Sequence, residues 1–373
     1  MSVFLLASGF LGCTALPATE ASDPIRLRWL GGGEDMSDGQ AEDALRWALS
    51  DLGAVPDDAA IRWSGGWVEL DSAGLGLEWY ATDTLAEATR ELNDSGEAEK
   101  NGAVDLGRWL MRTLYNPLRY YAITGACRQF STWAPRLVGG AQFGVTESLS
   151  FETDRLITFL PSPQTWETVR FAVAEGEGSL SDGSFAPVES ETVDLLPNGQ
   201  PRYAIYDSAG DLVPTATTIP AGQPGKCMWC HEAGLMHPAN QLGTGVSYTL
   251  FENTLLDEDE VINQRRRSVD HNIDFDDWAE LHTFAEALVA GFLNPTPERV
   301  AAEWGQSVDS VQRLGLHKHD VEEYGWTGRY ARADVDPHAP YDVVAVPTDV
   351  RDAVPDDEPE PERLGAGCPE ENL

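Results

Sequence analysis

The chain has 373 residues, of which 62 are Asp or Glu and 25 are Lys or Arg, for a net charge of −37. Only three residues are Lys, namely Lys100, Lys226 and Lys318, so the surface repels nucleic acid and anionic membranes. Twelve Trp, twelve Phe and ten Tyr supply apolar mass for one large or two modest domains.

The first segment, from Val3 to Gly12, is a short apolar run, too short to span a bilayer. It fits the apolar part of a secretory signal. Its end, Phe10-Leu11-Gly12-Cys13, resembles a bacterial lipobox. That resemblance implies a 1–13 signal sequence, lipidation at Cys13 and a place in the bacterial cell envelope, periplasmic or at the outer membrane. Contact with the membrane would be through the lipid alone. Residues 14–25 read as a tether. The acidity then reads as adaptation of an exported surface to a salty medium, where salt screens the repulsion. The alternative is steering of a basic partner.

Residues 26–138 read as an α+β N-terminal region. A strand is expected at 26–30. A helix is expected at 40–52, with Leu45, Ala48, Leu49 and Leu52 on one face. Strands at 60–70 and 75–81 follow. A helix at 83–93 is capped by Asp83 or Thr84, and another runs from Gly102 to Tyr115 until Pro117 breaks it. Residues 139–225 read as a β-rich region, an antiparallel sheet or small sandwich. Its strands are expected at 155–160, 166–174, 191–196, 201–207 and 211–213. Residues 226–330 read as helical, at 252–267, 275–292, 297–304 and 307–315. Residues 297–315 imitate a helix-turn-helix, but Glu298, Glu303 and Asp309 have the wrong sign for phosphate, so a packed helix pair is expected. Residues 331–373 read as an extended acidic tail. The fold class is therefore α+β: a helical N-terminal region, a central antiparallel section and a helical C-terminal section.

At the start of that last section stands Cys227-Met228-Trp229-Cys230-His231. Two thiols three positions apart, followed at once by an imidazole, resemble the attachment motif of c-type cytochromes. The resemblance covers these five residues and not the surrounding fold. It implies one covalent haem c, with thioethers from Cys227 and Cys230 and proximal iron ligation by His231. It further implies electron transfer or haem-based sensing, with another redox protein as partner. Two other chemistries fit the thiols. One is zinc bound by Cys227, Cys230 and a further ligand such as His237, although no second Cys-x-x-Cys closes such a site. The other is a disulfide, redox-active or structural. A haem enzyme with an open iron site, or a structural lipoprotein, are the corresponding alternatives in function.

Met236 is the only Met after the motif and lies too close in sequence to reach the opposite face of a haem. The distal candidates are His282, beside an apolar helix face with Trp278, and His271, followed by His317, His319 and His338. His271 also falls in a run from Asp270 to Asp276 that spaces oxygens as a calcium loop does, without its Gly. Trp229 and Trp278 are candidates for packing on the haem. Arg265, Arg266 and Arg267 either meet propionates or answer the acidic run 257–260 on the same helix. With Cys13 lipidated and the motif occupied, Cys127 and Cys368 remain as disulfide partners.

Overall fold

A computed structural model describes residues 24–31, 36–57, 59–146, 154–161, 165–216, 222–231, 235, 242–269, 273–274, 278–350, 364–365 and 368. Strand β1 (Ile25–Arg28) turns Ile25 and Leu27 inward. Helix α1 (Asp38–Asp51) opens with a capping box, in which Ser37 and Gln40 satisfy each other's backbone N–H groups. Strands β2 (Ile61–Ser64) and β3 (Trp67–Leu70) form a hairpin. Gly65 and Gly66 make its turn at φ 55° and 81°, a conformation that favours glycine. The expected strand at 75–81 is instead the entry to helix α2 (Trp79–Asn93). Asp83 and Thr84 lie inside that helix, because its apolar stripe reaches back through Ala81 to form one face with Leu85, Ala88 and Leu92.

Helix α3 (Gly96–Asn101) ends at Gly102 in the left-handed region, which is why the next helix does not begin there. Strand β4 (Val104–Asp105) pairs with β1 in parallel and completes a four-stranded sheet, β2-β3-β1-β4. Helix α4 (Leu106–Thr113) follows, and Pro117 starts rather than merely ends a helix, at the first turn of α5 (Pro117–Thr124). A short α6 (Phe130–Trp133) leads to the second sheet.

That sheet contains β5 (Ala141–Val145), β6 (Arg155–Phe159), β7 (Arg170–Glu177), β8 (Ala186–Leu195) and β9 (Pro201–Asp207). After helix α7 (Pro224–Cys230) the chain returns to add β10 (Leu242–Gly245) beside β5, giving the order β10-β5-β6-β7-β8-β9. It is one antiparallel sheet, not a sandwich. The opposing layer is a helix, α8 (Tyr248–Ser268), whose Phe251, Leu255 and Ile262 pack on Phe143, Phe159 and Phe171. β10 went unread because its composition, Leu-Gly-Thr-Gly, carries little strand signal on its own.

Helix α9 (Trp278–Leu293) packs against α1 and α4. Helices α10 (Pro297–Trp304) and α11 (Val308–Gln312) form the expected packed pair. A hairpin of β11 (His319–Val321) and β12 (Trp326–Arg329) adds strands to a section expected to be mostly helical. Beyond it, residues 331–350 are not an extended tail. They form α12 (Arg332–Val335) and then place Val346 and Val350 in the main core. Arg332 is drawn inside by Glu303, whose carboxylate meets its guanidinium at 2.7 and 2.8 Å. Cys127 and Cys368 are joined by a disulfide. Among the described residues no helix is long and apolar enough to cross a membrane. The molecule is mixed α+β.

Candidate functional site

Helix α7 carries both cysteines of the Cys-x-x-Cys-His motif, with His231 as its C-cap, and its seven residues are held from several sides. Pro224 occupies the first turn, where its missing N–H costs nothing, and Gln223 before it is extended. Gln223 is fully buried and donates from Nε2 to the Asp349 carbonyl at 3.0 Å. A Cβ on Gly225 would stand 2.9 Å from both Tyr115 Cδ1 and the Val350 oxygen, so only glycine permits this approach. Met228 enters the main core. Trp229 Nε1 donates to Tyr115 Oη at 3.2 Å, with the rings edge to face. The folded-back segment 349–350 and the α4–α5 junction thus fix the helix.

This support sets the orientation of the motif. Cys227, Cys230 and His231 stand at relative positions zero, three and four of a helical turn, so they share one face. The His231 N–H donates to the Cys227 carbonyl at 2.9 Å. Neither cysteine is in a disulfide; Cys227 is half-buried and Cys230 is exposed. The His231 ring lies nearly parallel to that of Tyr203 on β9, 6.0 Å between centroids. Two thiols and an imidazole on one face, with Cys230 open to solvent, form a donor set that fits haem c.

Behind the motif lies acid. Glu175 on β7 is paired in register with Glu189 on β8, and Glu191 is two residues further along the same face. Burial pushes the Cys227 thiol well above its ordinary value, and the charges of Glu191 and Glu175 push it further, against the weaker pull of Lys226. Cys227 is therefore a thiol at neutral pH, which disfavours attack on a disulfide, a reaction of thiolates. Among the described residues, no cluster of three or more metal-type ligands includes Cys227, Cys230 or His231.

The other predicted residues are dispersed. His282 is 4 % exposed on α9, with Nε2 3.0 Å from Glu286 Oε1 and its ring edge-on to Trp47. Burial raises nearby Asp51 to about 7, against the charges of His282 and Arg266. His319 Nε2 is 2.8 Å from Asn294 Oδ1, while His317 and His338 are exposed. Cys13, Met236, His237, His271 and the Trp278 side chain lie outside the described part of the chain, as does most of the 270–276 run. Of the arginine triplet, Arg266 feels the charge of Asp259 on its own helix, as expected, but Arg265 and Arg266 also reach off the helix. Arg265 donates to the Pro197 carbonyl and covers Trp166, and Arg266 donates to Gln200 at 2.6 Å. These contacts across to the β8–β9 turn win because α8 lies on the sheet.

Tyr115, Tyr203 and the three glutamates were not singled out from the sequence. Alternate acids such as Glu189 and Glu191 read as the wet face of a strand, and only the sheet register reveals that this face is covered. Comparison with protein-family models, with curated proteins and with solved structures finds no match to this chain.

Proposed function

We propose that this chain is an exported monohaem c-type protein working in electron transfer or haem-based sensing. Cys227 and Cys230 hold the haem, and His231 is the proximal iron ligand. The observation that carries this reading is the last turn of α7, which brings Cys227 and Cys230, neither in a disulfide, together with the capping His231. Bound there, haem would supply a one-electron iron couple. The protein's own part is positional. Tyr203 backs the His231 ring, Tyr115 anchors Trp229, and Gln223 ties the start of the helix to segment 349–350. Lipidation at Cys13 would place the protein in the bacterial cell envelope, and its charge of −37 suits a basic redox partner.

The contacts of His282 favour a second reading, a haem enzyme or sensor with an open iron position. As a distal ligand, His282 would have to give up the Glu286 contact at the Nε2 atom that would meet iron.

The test is a pyridine haemochrome spectrum of protein made with haem c maturation machinery, beside a Cys227→Ala/Cys230→Ala variant. Covalent c-type bands in the wild type, lost in the variant, are expected. A wild type without haem, with zinc or an intact Cys227–Cys230 disulfide instead, overturns the reading. Carbon monoxide binding by the ferrous protein, compared with a His282→Ala variant, separates an open iron from a ligated one.

A further inference from the structure

The C-terminal part of the chain meets the first turn of α7 and is pinned on either side of that meeting. Upstream, the Glu97 N–H donates to the Asp342 carbonyl at 3.1 Å, and Arg108 Nη1 donates to the Val344 carbonyl at 3.0 Å. Gly96 stands so close that a Cβ there would be 2.8 Å from the Asp342 nitrogen. Downstream, Arg128 Nε donates to the Leu364 carbonyl at 2.7 Å, and the buried Cys368 is bonded to Cys127. Between these anchors the Asp349 carbonyl accepts from Gln223, and the Val350 carbonyl lies against Gly225. Gln223, Pro224 and Gly225 are all buried.

This seating treats the two thiols of the motif differently. Cys230, at the end of α7, is exposed. Cys227, one turn earlier, is half-buried, packs against the main core and donates from Sγ to the Gln223 carbonyl at 3.8 Å. The helix itself rests on α5 and β9. A bulky electrophile that must meet both sulfurs therefore finds one of them turned into the protein. Exposing Cys227 requires the first turn of α7 to lift, and that is the turn held by Asp349 and Val350. Val350 and Cys368 are 18 positions apart. The disulfide thus keeps segment 349–350 close to α7, and its contacts re-form after each opening through a high effective concentration.

We propose that the C-terminal strap bearing Asp349 and Val350 is a latch over Cys227, fastened by the Cys127–Cys368 disulfide. The Cys227 thiol is open to modification before the latch is fastened and shut in afterwards. The order of two reactions follows, and it rests on the haem reading for the identity of the first. In that first reaction the Cys227 thiol adds across a vinyl C=C bond, its sulfur bonding one carbon and its proton passing to the other, with no oxidant needed. In the second, Cys127 and Cys368 give up two protons and two electrons to a disulfide oxidant, which leaves as a dithiol.

The latch is read on the thiols themselves, without haem. The full chain, made without maturation machinery, is reduced mildly enough to spare the buried Cys127–Cys368 bond and treated with N-ethylmaleimide. Peptide mass spectrometry follows each cysteine against the same site in the urea-unfolded chain. Relative to that reference, wild-type Cys227 should react about tenfold more slowly than Cys230, as a group reached only by local opening does. Cys127→Ser/Cys368→Ser should speed Cys227 about fivefold and leave Cys230 within about twofold. Gln223→Ala cuts the contact to Asp349 with the disulfide intact and should act in the same direction. It decides the matter if the double variant loses the wild-type circular dichroism spectrum. Wild-type Cys227 as reactive as Cys230, or a Cys227 rate unchanged in the folded variants, would overturn the latch. Offered afterwards to maturation machinery, the oxidised wild type should take up less haem than the disulfide-free variant, and equal uptake would overturn the proposed order. Absence of haem from both, with the alkylation pattern as expected, would overturn the haem reading and leave the latch standing.

Discussion

Two regions of this molecule bury charge, and they treat it differently. At the junction of α3, α4, α10 and α12, Arg108, Arg299 and Arg332 meet Glu97, Asp105, Glu303 and Asp336. Arg108 Nε is 2.7 Å from Glu97, Arg299 grips both oxygens of Asp105, and Arg332 grips both of Glu303. All three guanidinium groups also stack around the Phe292 ring. On the sheet side, Glu175 meets the guanidinium of Arg155, whose charge also acts on Glu191. Glu258, on the helix covering that sheet, is fully buried with neither carboxylate oxygen hydrogen-bonded. The same residue type is thus held ionised in one place and pushed toward neutrality in the other. Burial alone would raise Glu303, but Arg332, Arg299 and Arg108 together hold it at about 2. Burial, followed by the charges of Asp259 and Asp257, raises Glu258 to about 10. Whether a buried acid is an anchor or a burden depends on the number of bidentate partners facing it.

The sharpest break in this contrast is Arg332→Ala. It leaves Glu303 and Asp336 short of a partner in the interior, and loss of one member of a buried pair costs about 3–5 kcal/mol. Urea unfolding should show a midpoint lowered accordingly, or no folded protein at all. A loss below about 1 kcal/mol would mean that the network is not a structural tie.

The sheet side has a covalent tie that the charge network lacks. Cys127 and Cys368 are 241 positions apart, and Arg128 Nε donates to the Leu364 carbonyl close by. Cys127→Ser/Cys368→Ser should cost about 2–5 kcal/mol, mainly by freeing the unfolded chain. Its unfolding midpoint should then match that of the reduced wild type.

Acidity separates the two regions by sign. The folded value of Glu303 lies below its ordinary 4.5, so its contribution is present above pH 4.5 and is lost as pH falls toward 2. Glu258 is raised above the same 4.5, so its contribution is complete below pH 4.5 and is lost as pH rises toward 10. Asp51 adds a loss of the same sign, from its ordinary 3.8 up to about 7. The thermal midpoint should peak near pH 4–5. Glu258→Gln should flatten the alkaline limb and leave the acid limb unchanged. A wild-type maximum at pH 8 or above would contradict the assignment.

The smallest effect expected is Glu258→Gln at pH 5. The native carboxyl is already protonated there, so stability should change by no more than about 1 kcal/mol, the net worth of an ordinary hydrogen bond. Equilibrium urea unfolding at pH 5 and pH 8 would show whether the variant gains only at the higher value.

Much of the architecture was legible in the chain. The α10 boundaries at Pro297 and Trp304, the strand at 201–207 and the order of helix-rich and strand-rich regions follow from caps, prolines and apolar period. Those signals are local, since each is written within one or two turns of the element it specifies. The motif at Cys227 to His231 is local in the same sense, and its shared face follows from helical geometry alone.

The rest depended on partners distant in sequence. Nothing near Gly225 announces that Tyr115 and the Val350 carbonyl will press against it. Nothing near Arg332 announces Glu303, 29 positions away. The acidic run of the last 40 residues reads as solvated, yet part of it returns to brace the motif helix through Asp349. The spacing of Glu189 and Glu191 specified a common face, but only the pairing with Glu175 and the cover of α7 and α8 made that face an interior. Composition and spacing determine which groups a segment can present, because they act within a few residues. Burial and electrostatic environment are decided by tertiary contacts, because desolvation and charge pairing depend on what is brought near through space.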